Sequence, residues 1–253
     1  MHQRRPLLLA LFISFFAAGV CAGEQGRDVF LIKDGKPAVY LRADEAADSR
    51  VVSACEDLSR VFERITGLPL PVTPSDGLVP LYVFTHDRTP VAKMNLPELD
   101  TEAFHISVTP EMVCLVGGSP LGAQHAVYTL LRDMGCRWIM PGEIGECLPA
   151  ERNISVPVQE RTESPDFKFR DIWYAYGCSP EGGQRHAKWL RRNRMYRPPI
   201  QHGHNLTNTL AVFAPYEKRP ELYALIQGER QKTQICTSNA ETVALVAKAI
   251  AQY

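Results

Sequence analysis

Carboxylic acids with catalytic potential occur at two places in the sequence. Glu143 and Glu146 stand three residues apart in a segment rich in Pro and Gly, and two carboxyl groups can divide the acid and base roles of a reaction. This spacing is common and loop acids are usually solvated, so we expect no catalysis from the pair. Asp171 lies near the end of a predicted strand, where it could bind a ligand or form a salt bridge with Arg170 or another neighbour.

Aromatic and polar side chains add to this set. Trp173 and Tyr174 offer aromatic faces that could stack on a sugar ring, and core packing is an equal alternative. His204 and Asn205 end a second predicted strand, where both can donate hydrogen bonds to hydroxyl groups. We therefore predict substrate binding, without an assigned catalytic residue, at Asp171, Trp173, Tyr174, His204 and Asn205.

The sequence has no diagnostic motif for a metal or a cofactor. His202 and His204, with His186 as a distant third, could face a metal, but no carboxylate or cysteine has diagnostic spacing beside them. Residues 117–122 join a strand to a helix, as a phosphate-binding loop would, yet they match no phosphate motif and Pro120 removes one amide donor. We expect helix capping there, and neither a metal nor a cofactor.

The clearest structural signal is a hairpin followed by a helix. Alternating apolar residues at 104–108, a turn at 109–111 and an apolar run at 113–116 predict two antiparallel strands. Apolar residues then recur every three or four positions, so a helix is predicted that begins after Ser119 and ends at Gly135.

Shorter patterns predict one more helix and four more strands. An apolar face that recurs from Val51 to Ile65 predicts the helix, with Asp57 on the polar face and Gly67 at the end. The strands are predicted at 29–32, 38–41, 68–72 and 81–85. Together these elements predict an α/β (α+β) domain over residues 23–160, built on a small mixed or antiparallel sheet with helices.

Residues 157–165 are charged and lack apolar periodicity, which predicts a linker. Beyond it, strands and helices are predicted to alternate at 167–174, 181–195, 200–205 and 242–253. This alternation is how a (β/α)₈ barrel begins, and a complete barrel takes about 250 residues. We therefore expect residues 161–253 to be the start of a truncated TIM-barrel-like domain.

The N-terminus has the pattern of an export signal. Two arginines precede an apolar stretch at 7–20, and residues 20–22 fit the small-residue cleavage rule. We expect residues 1–22 to be removed and the mature protein to be periplasmic or extracellular, without a stable membrane span. A lipoprotein anchor at Cys21 is the alternative.

Export would place the remaining six cysteines in an oxidising compartment. Cys55 on an apolar helix face and Cys114 within a strand are expected to act as small buried hydrophobes. Cys136 and Cys147 flank a Pro- and Gly-containing loop and are the first candidates for a disulfide. No pair of CxxC motifs exists, so we expect no structural zinc site.

The composition is that of a globular protein, with 45% hydrophobic residues and equal numbers of acidic and basic side chains. A net charge of zero gives no electrostatic case for nucleic-acid binding. Basic side chains cluster between residues 185 and 197, where we expect them to form a solvated helix face.

Two groups of residues carry a resemblance to known proteins. The hairpin, the helix and the Gly-Cys-Arg-Trp corner at 135–138 resemble the small N-terminal α/β domain that precedes the catalytic barrel in bacterial α-glucuronidases and β-hexosaminidases. Downstream segments look like an uncharacterised bacterial family of secreted proteins, in which such a domain leads into a glycosidase-like barrel. Those segments are 169–173, 193–195, 204–205, 220–230 and 234–239.

The resemblance implies an exported carbohydrate-active protein, the N-terminal part of a glycoside hydrolase-like molecule that acts in polysaccharide degradation. Its partner would be an oligo- or polysaccharide, for which uronic acid and amino-sugar units are candidates. In related glycosidases the catalytic carboxylates lie on later barrel strands, so this chain is expected to lack them. The alternative is a noncatalytic glycan-binding module that keeps the glycosidase architecture without the acid pair.

Overall fold

The chain has a mixed α/β fold in a computed structural model, which describes residues 28–44, 47–88, 96–172, 179–196 and 205–251. The strands in these ranges are β1 (Val29–Lys33), β2 (Lys36–Pro37), β3 (Val39–Ala43), β4 (Val79–Thr85), β5 (Phe104–Thr109), β6 (Met112–Gly117), β7 (Arg137–Trp138), β8 (Glu146–Cys147), β9 (Ile154–Val156), β10 (Gln159–Glu163), β11 (Tyr223–Ile226) and β12 (Glu229–Ile235). The α-helices are α1 (Ser49–Thr66), α2 (Pro120–Asp133), α3 (Pro180–Arg192), α4 (Leu206–Phe213) and α5 (Ala240–Ile250).

Five strands form the central sheet, in the order β10-β5-β6-β4-β3. Strands β3, β4 and β6 are parallel, and β5 runs antiparallel to both β6 and β10. The predicted hairpin is confirmed, because Phe104 pairs with Gly117 and Thr109 with Met112. Strands β2, β1 and β9 form a second, smaller sheet.

Helix α1 ends where predicted and buries most of the predicted apolar face, but it also buries one residue of the predicted polar face. The carboxylate of Asp48 accepts a hydrogen bond from the backbone N–H of Arg50, and Gly67 ends the helix in the left-handed conformation with φ 71°. The prediction that Asp57 lies on the polar face is wrong, since this residue is only 4% exposed. Its burial depends on partners from distant segments, which helical periodicity does not reveal.

Helix α2 begins at a cap and packs close to the hairpin. The Ser119 hydroxyl accepts a hydrogen bond from the backbone N–H of Leu121, and Gly135 follows the helix with φ 102°. A Cβ on Gly122 would lie 2.3 Å from the backbone oxygen of Ala103. Capping and close packing therefore account for this glycine-rich segment. Helix α2 also packs against α1, and both contact β4.

Two predictions for the N-terminal part are wrong. Residues 68–72 form no strand, although the backbone N–H of Leu41 donates to the oxygen of Pro71 at 2.7 Å. Gln159–Glu163, inside the predicted linker, form β10 and pair with β5 along their whole length. Polar side chains alternate between half-buried and exposed in β10, so this edge strand lacks an apolar signal. The division into domains at residue 160 stays a prediction.

The C-terminal part contains elements that the barrel pattern did not predict. Residues 167–172 form no strand beyond a bridge between Arg170 and Tyr196, and residues 173–174 and 200–204 lie outside the described residues. The predicted helices correspond to α3 and α5, whereas α4 and the antiparallel β11–β12 hairpin were not predicted. The truncated barrel stays a prediction. The small core of this part consists of Leu210, Ala214, Leu222, Tyr223 and Val246.

The described cysteines carry free thiols. Burial raises the pKa of Cys55, Cys114 and Cys136 to about 12, which confirms the first two as buried hydrophobes. Cys136 and Cys147, the first candidates for a disulfide, are not paired. Cys136 is 1% exposed within the core, whereas Cys147 is exposed on β8.

Candidate functional site

The structure describes two of the five residues that the sequence predicted to bind substrate. Asp171 is half-buried and follows the bridge that Arg170 makes. Asn205 lies at the start of α4, where its side-chain oxygen accepts a hydrogen bond from the amide of Asn208 at 2.8 Å. Trp173, Tyr174 and His204 lie outside the described residues. The site that these five would form stays a prediction.

A different polar site is built around two buried carboxylates, Asp57 on α1 and Glu146 at the start of β8. Arg192 of α3 contacts both. Its Nη2 and Nε donate to the two oxygens of Asp57 at 2.9 and 3.1 Å, and its Nη1 lies 3.0 Å from Oε2 of Glu146. The same guanidinium lies 5.2 Å from the centre of the Trp138 ring, a cation–π distance.

Three more cations surround these carboxylates. Arg60 donates to both oxygens of Glu146, at 3.0 and 2.8 Å, in a bidentate pair. Arg64 donates to Oε1 of Glu146 at 2.6 Å. The ammonium of Lys188 lies 3.0 Å from Oδ1 of Asp57. Four cationic side chains therefore share two carboxylates, which leaves an excess of positive charge.

Aromatic side chains complete the hydrogen bonding of the two acids. The Tyr128 hydroxyl donates to Asp57 at 3.0 Å, and the Trp138 indole N–H donates to Glu146 at 2.9 Å. Trp189 of α3 donates its indole N–H to the backbone oxygen of Trp138, also at 2.9 Å. The cluster thus joins α1, α2, the β7–β8 corner and α3.

Local sequence explains how these side chains converge. Arg60 and Arg64 are one turn apart on α1, and Lys188 and Arg192 are one turn apart on α3, so each helix presents two cations on one face. The loop before Glu146 turns tightly because it contains glycine: a Cβ on Gly145 would lie 2.2 Å from a backbone oxygen of the same loop.

Both buried acids are held in the ionised form. Burial alone would raise the pKa of Asp57, but hydrogen bonds from Arg192 and Lys188 hold this pKa well below its ordinary value. Burial opposes ionisation of Glu146 as well, and hydrogen bonds from Arg60 and Trp138 lower its pKa to about 2. A carboxylate with such a pKa has no proton to donate near neutrality. Neither residue is therefore equipped to act as a general acid.

A cleft of about 260 Å³ opens beside this cluster, between α3 and the β7–β8 corner. We call it the corner cleft. Arg185, Lys188 and Trp189 line it from α3, and Met140 and Glu143 line it from the corner, with Glu146 at its base. This volume is slightly below the range of about 300–1,000 Å³ that is typical of small-molecule pockets, so only a small ligand would suit it.

Several of these residues behave differently from the sequence prediction. Glu146 was expected to be solvated, yet its side chain is 2% exposed. The side chain of Arg192, expected on a solvated face, is 9% exposed. A signal was available in the pairs of basic residues one helical turn apart. Apart from Asp57, which lies three residues before Arg60, their acidic partners are 82 to 135 residues away in sequence. Local patterns do not identify such partners.

The described residues provide neither a metal site nor a membrane span. No group of three or more His, Cys, Asp or Glu side chains in this part of the chain is arranged to hold a metal ion. His202 and His204, which the sequence placed at a possible metal site, lie outside the described residues. No helix that the structure describes is long and apolar enough to cross a membrane.

Comparison with protein families gives one match. A family model described as a domain of unknown function, DUF4838, matches residues 140–253. No curated protein sequence matches the chain. The family match begins in the corner and runs through α3 to the end of the chain.

Solved structures of glycoside hydrolases are similar to parts of the chain. A family GH115 4-O-methyl-α-glucuronidase, BtGH115A, with specificity for decorated arabinogalactans is 16% identical over 66% of this chain and 25% of its own, with a TM-score of 0.48. A GH20 exo-β-N-acetylglucosaminidase from Vibrio harveyi is 21% identical over 57% of this chain and 18% of its own, with a TM-score of 0.35. CpGH84B is 12% identical over 90% of this chain and 33% of its own, with a TM-score of 0.42.

The chain therefore spans a third or less of the length of these solved structures. With TM-scores below 0.5, these similarities assign neither an activity nor a substrate to this chain. Its function has to be argued from its own residues.

Proposed function

We propose that this chain is part of an exported carbohydrate-active protein with a glycosidase-like architecture, and that it binds an acidic glycan at the corner cleft. Export and the carbohydrate class rest on the N-terminal signal pattern and on the sequence resemblance described above. The acidic character of the ligand rests on the geometry of the cleft, which is the observation that carries the proposal.

Charge and aromatic surface in the corner cleft suit a sugar that carries a carboxylate. The cleft attracts an anion, because its charged lining residues are four cations and two acids. These residues are Arg60, Arg185, Lys188, Arg192, Glu143 and Glu146. Arg185 and Lys188 reach it from α3, and the half-buried Trp189 presents an aromatic ring beside them. A uronic acid could place its carboxylate against Arg185, next to Lys188, which also pairs with Asp57, and its apolar ring face against the indole.

The same geometry favours binding over cleavage by these residues. Hydrolysis of a glycoside uses a proton donor and a second carboxylate across the scissile bond. Asp57 and Glu146 are ionised and enclosed by cations, and Glu143 is a single exposed acid at the rim. Any catalytic acid pair of the whole protein would lie elsewhere than in this cleft.

Calorimetric titration of the purified chain tests the proposal. Glucuronic acid and its methyl glycoside are compared with glucose and methyl glucoside, which differ by the carboxylate. We expect the acidic sugars to bind and their affinity to fall as salt rises, because the attraction is electrostatic. Arg185→Gln should weaken glucuronate binding by about tenfold or more, since a hydrogen bond to a charged group is worth about 1.5–3 kcal/mol.

The control variant is Arg50→Gln, which makes the same change at an exposed arginine of α1 outside the cleft. It should leave glucuronate binding unchanged. Equal affinity for glucose and glucuronate, or equal loss in the two variants, would contradict the proposed acidic-glycan site.

A further inference from the structure

A second cavity, of about 290 Å³, shares no lining residue with the corner cleft. We call it the His125 cavity. His125 of α2 lines it together with residues that follow β10 and residues at the end of α3. Its lining includes Phe104, Glu163, Asp166, Phe167, Arg170 and Arg194.

His125, one of the lining residues, carries a buried nitrogen without a hydrogen-bond partner among the described residues. The residue is 1% exposed, and its Nδ1 lies 3.4 Å from the backbone oxygen of Glu102. A carbonyl oxygen only accepts hydrogen bonds, so Nδ1 carries the proton and Nε2 of the neutral ring is an acceptor. Among the described residues, Nε2 is buried and has no hydrogen-bond partner.

Neutrality of the ring follows from its surroundings. Burial lowers the pKa of His125 to about 4, and the positive charges of Arg170 and Arg194 act in the same direction. A buried acceptor without a donor costs about 1–3 kcal/mol. An occupant that donates an O–H or N–H to Nε2 would remove this cost.

The charged groups around the cavity favour a neutral occupant. Arg170 donates to the carboxylate of Glu102, and Arg194 donates to that of Glu163 at 3.1 Å, so each guanidinium already has an acidic partner. Asp166 adds a further carboxylate to the lining. An anion would meet paired cations and this extra negative charge, whereas hydroxyl groups could donate to the carboxylates.

The apolar surface and the volume of the His125 cavity further restrict the kind of ligand that it could bind. Phe104 and the 73%-exposed Phe167 provide aromatic surface among the polar groups, as suits the C–H face of a sugar. The volume of about 290 Å³ is at the lower limit of the range for small-molecule pockets. It suits one sugar ring rather than a chain of several.

We propose that the His125 cavity binds one neutral sugar unit, with a sugar hydroxyl donating a hydrogen bond to Nε2 of His125. This inference rests on the proposed function only for the carbohydrate class of the ligand. It concerns a different cavity, and it requires the opposite charge preference from the corner cleft.

Nitrogen-15 NMR of the histidine side chains tests this contact directly in the full chain. Glucose, N-acetylglucosamine and xylose are titrated separately up to about 50 mM, a range suited to millimolar affinity. At least one should bind saturably and shift the Nε2 resonance of His125, which is identified by its loss in His125→Phe. Glucuronate, titrated alike, should leave that resonance in place even though it binds at the corner cleft.

Asp166→Asn provides a second measurement at an exposed position, in case His125→Phe does not fold. Losing one hydrogen bond to a carboxylate should lower the affinity for the neutral sugar by about tenfold or more. The matched control Asp76→Asn, at an exposed turn outside the cavity, should have no effect.

Three results would overturn the inference: no saturable shift of the His125 resonance by any neutral sugar, unchanged affinity in Asp166→Asn, or an equal shift with glucuronate. None of them decides the corner-cleft proposal, which depends on glucuronate binding and on Arg185. Conversely, loss of glucuronate selectivity at Arg185 would leave the His125 result intact.

Discussion

Replacing Glu146 by glutamine should destabilise the protein strongly. The two carboxylate oxygens accept hydrogen bonds from Arg60, Arg64 and Trp138, and Arg192 lies 3.0 Å away. In Glu146→Gln one oxygen becomes an NH₂ group, so at least two donors face another donor. The four cations would also be left with one carboxylate, that of Asp57.

The expected loss follows from burial. The Glu146 side chain is 2% exposed and that of Arg192 is 9% exposed, so water cannot replace the missing acceptor easily. Removing one partner of a buried ion pair costs about 3–5 kcal/mol. An exposed pair would contribute about 0–1 kcal/mol. A loss of stability of about 3–5 kcal/mol would therefore indicate that the ion cluster stabilises the packing of α3 on the N-terminal part.

Urea unfolding followed by tryptophan fluorescence measures this loss. With an m-value of about 2 kcal/mol/M, a loss of 3–5 kcal/mol lowers the midpoint by about 2 M. Glu143→Gln is the matched control, since Glu143 is exposed in the same loop, and it should change stability by less than about 0.5 kcal/mol. If the two variants had equal midpoints, the argument from buried ion pairing would be refuted.

Two further predictions concern α2 and α3. Gly122→Ala should destabilise the protein by about 1–3 kcal/mol, because the added Cβ would meet the backbone of Ala103. Gly183→Ala in α3 should stabilise it by about 0.5–1 kcal/mol, because a Cβ there would meet nothing within 4 Å. Thermal unfolding measures both changes. Burial holds the pKa of His125 at about 4 in the folded protein, below its ordinary 6.5. Between pH 6.5 and pH 4 the unfolded state therefore binds a proton that the folded state does not, and lowering the pH favours unfolding. As the pH falls from 6.5 to 4, the wild type should therefore lose about 3 kcal/mol more unfolding free energy than His125→Gln, as measured by urea titration at each pH. If the unfolding free energies of the two proteins changed with pH in parallel, the prediction would be contradicted.

Elements formed by neighbouring residues were predictable from the sequence. The β5–β6 hairpin pairs positions that are close in the chain, and α2 carries its own cap at Ser119 and its own stop at Gly135. Apolar residues that alternate in strands and recur every three or four positions in helices indicate such local elements directly. Their ends therefore agree with the structure to within a few residues.

Structure that depends on distant partners was not predictable in this way. Strand β10 is polar and pairs with β5, more than fifty residues earlier, so its sequence alone indicated a linker. The contact of Asp57 with Arg192 joins residues 135 positions apart. In both cases the position of a polar residue depends on a distant partner, which the local hydrophobic pattern does not indicate. The unpartnered Nε2 of His125 was hidden for the same reason, because the helical pattern places this residue without showing which groups it meets.

The ion cluster also bears on how the chain divides into folding units. A boundary near residue 160 would leave Asp57 and Glu146 in the N-terminal unit with Arg60 and Arg64, but without the cations of α3. Asp57 would then lose its closest ionic contacts, those with Arg192 and Lys188, and would keep Arg60 at 3.4 Å and the hydroxyl of Tyr128. Burying a charge without its partners is costly. We therefore expect α3 to unfold together with the N-terminal part, which would place a boundary between folding units after α3 rather than at residue 160.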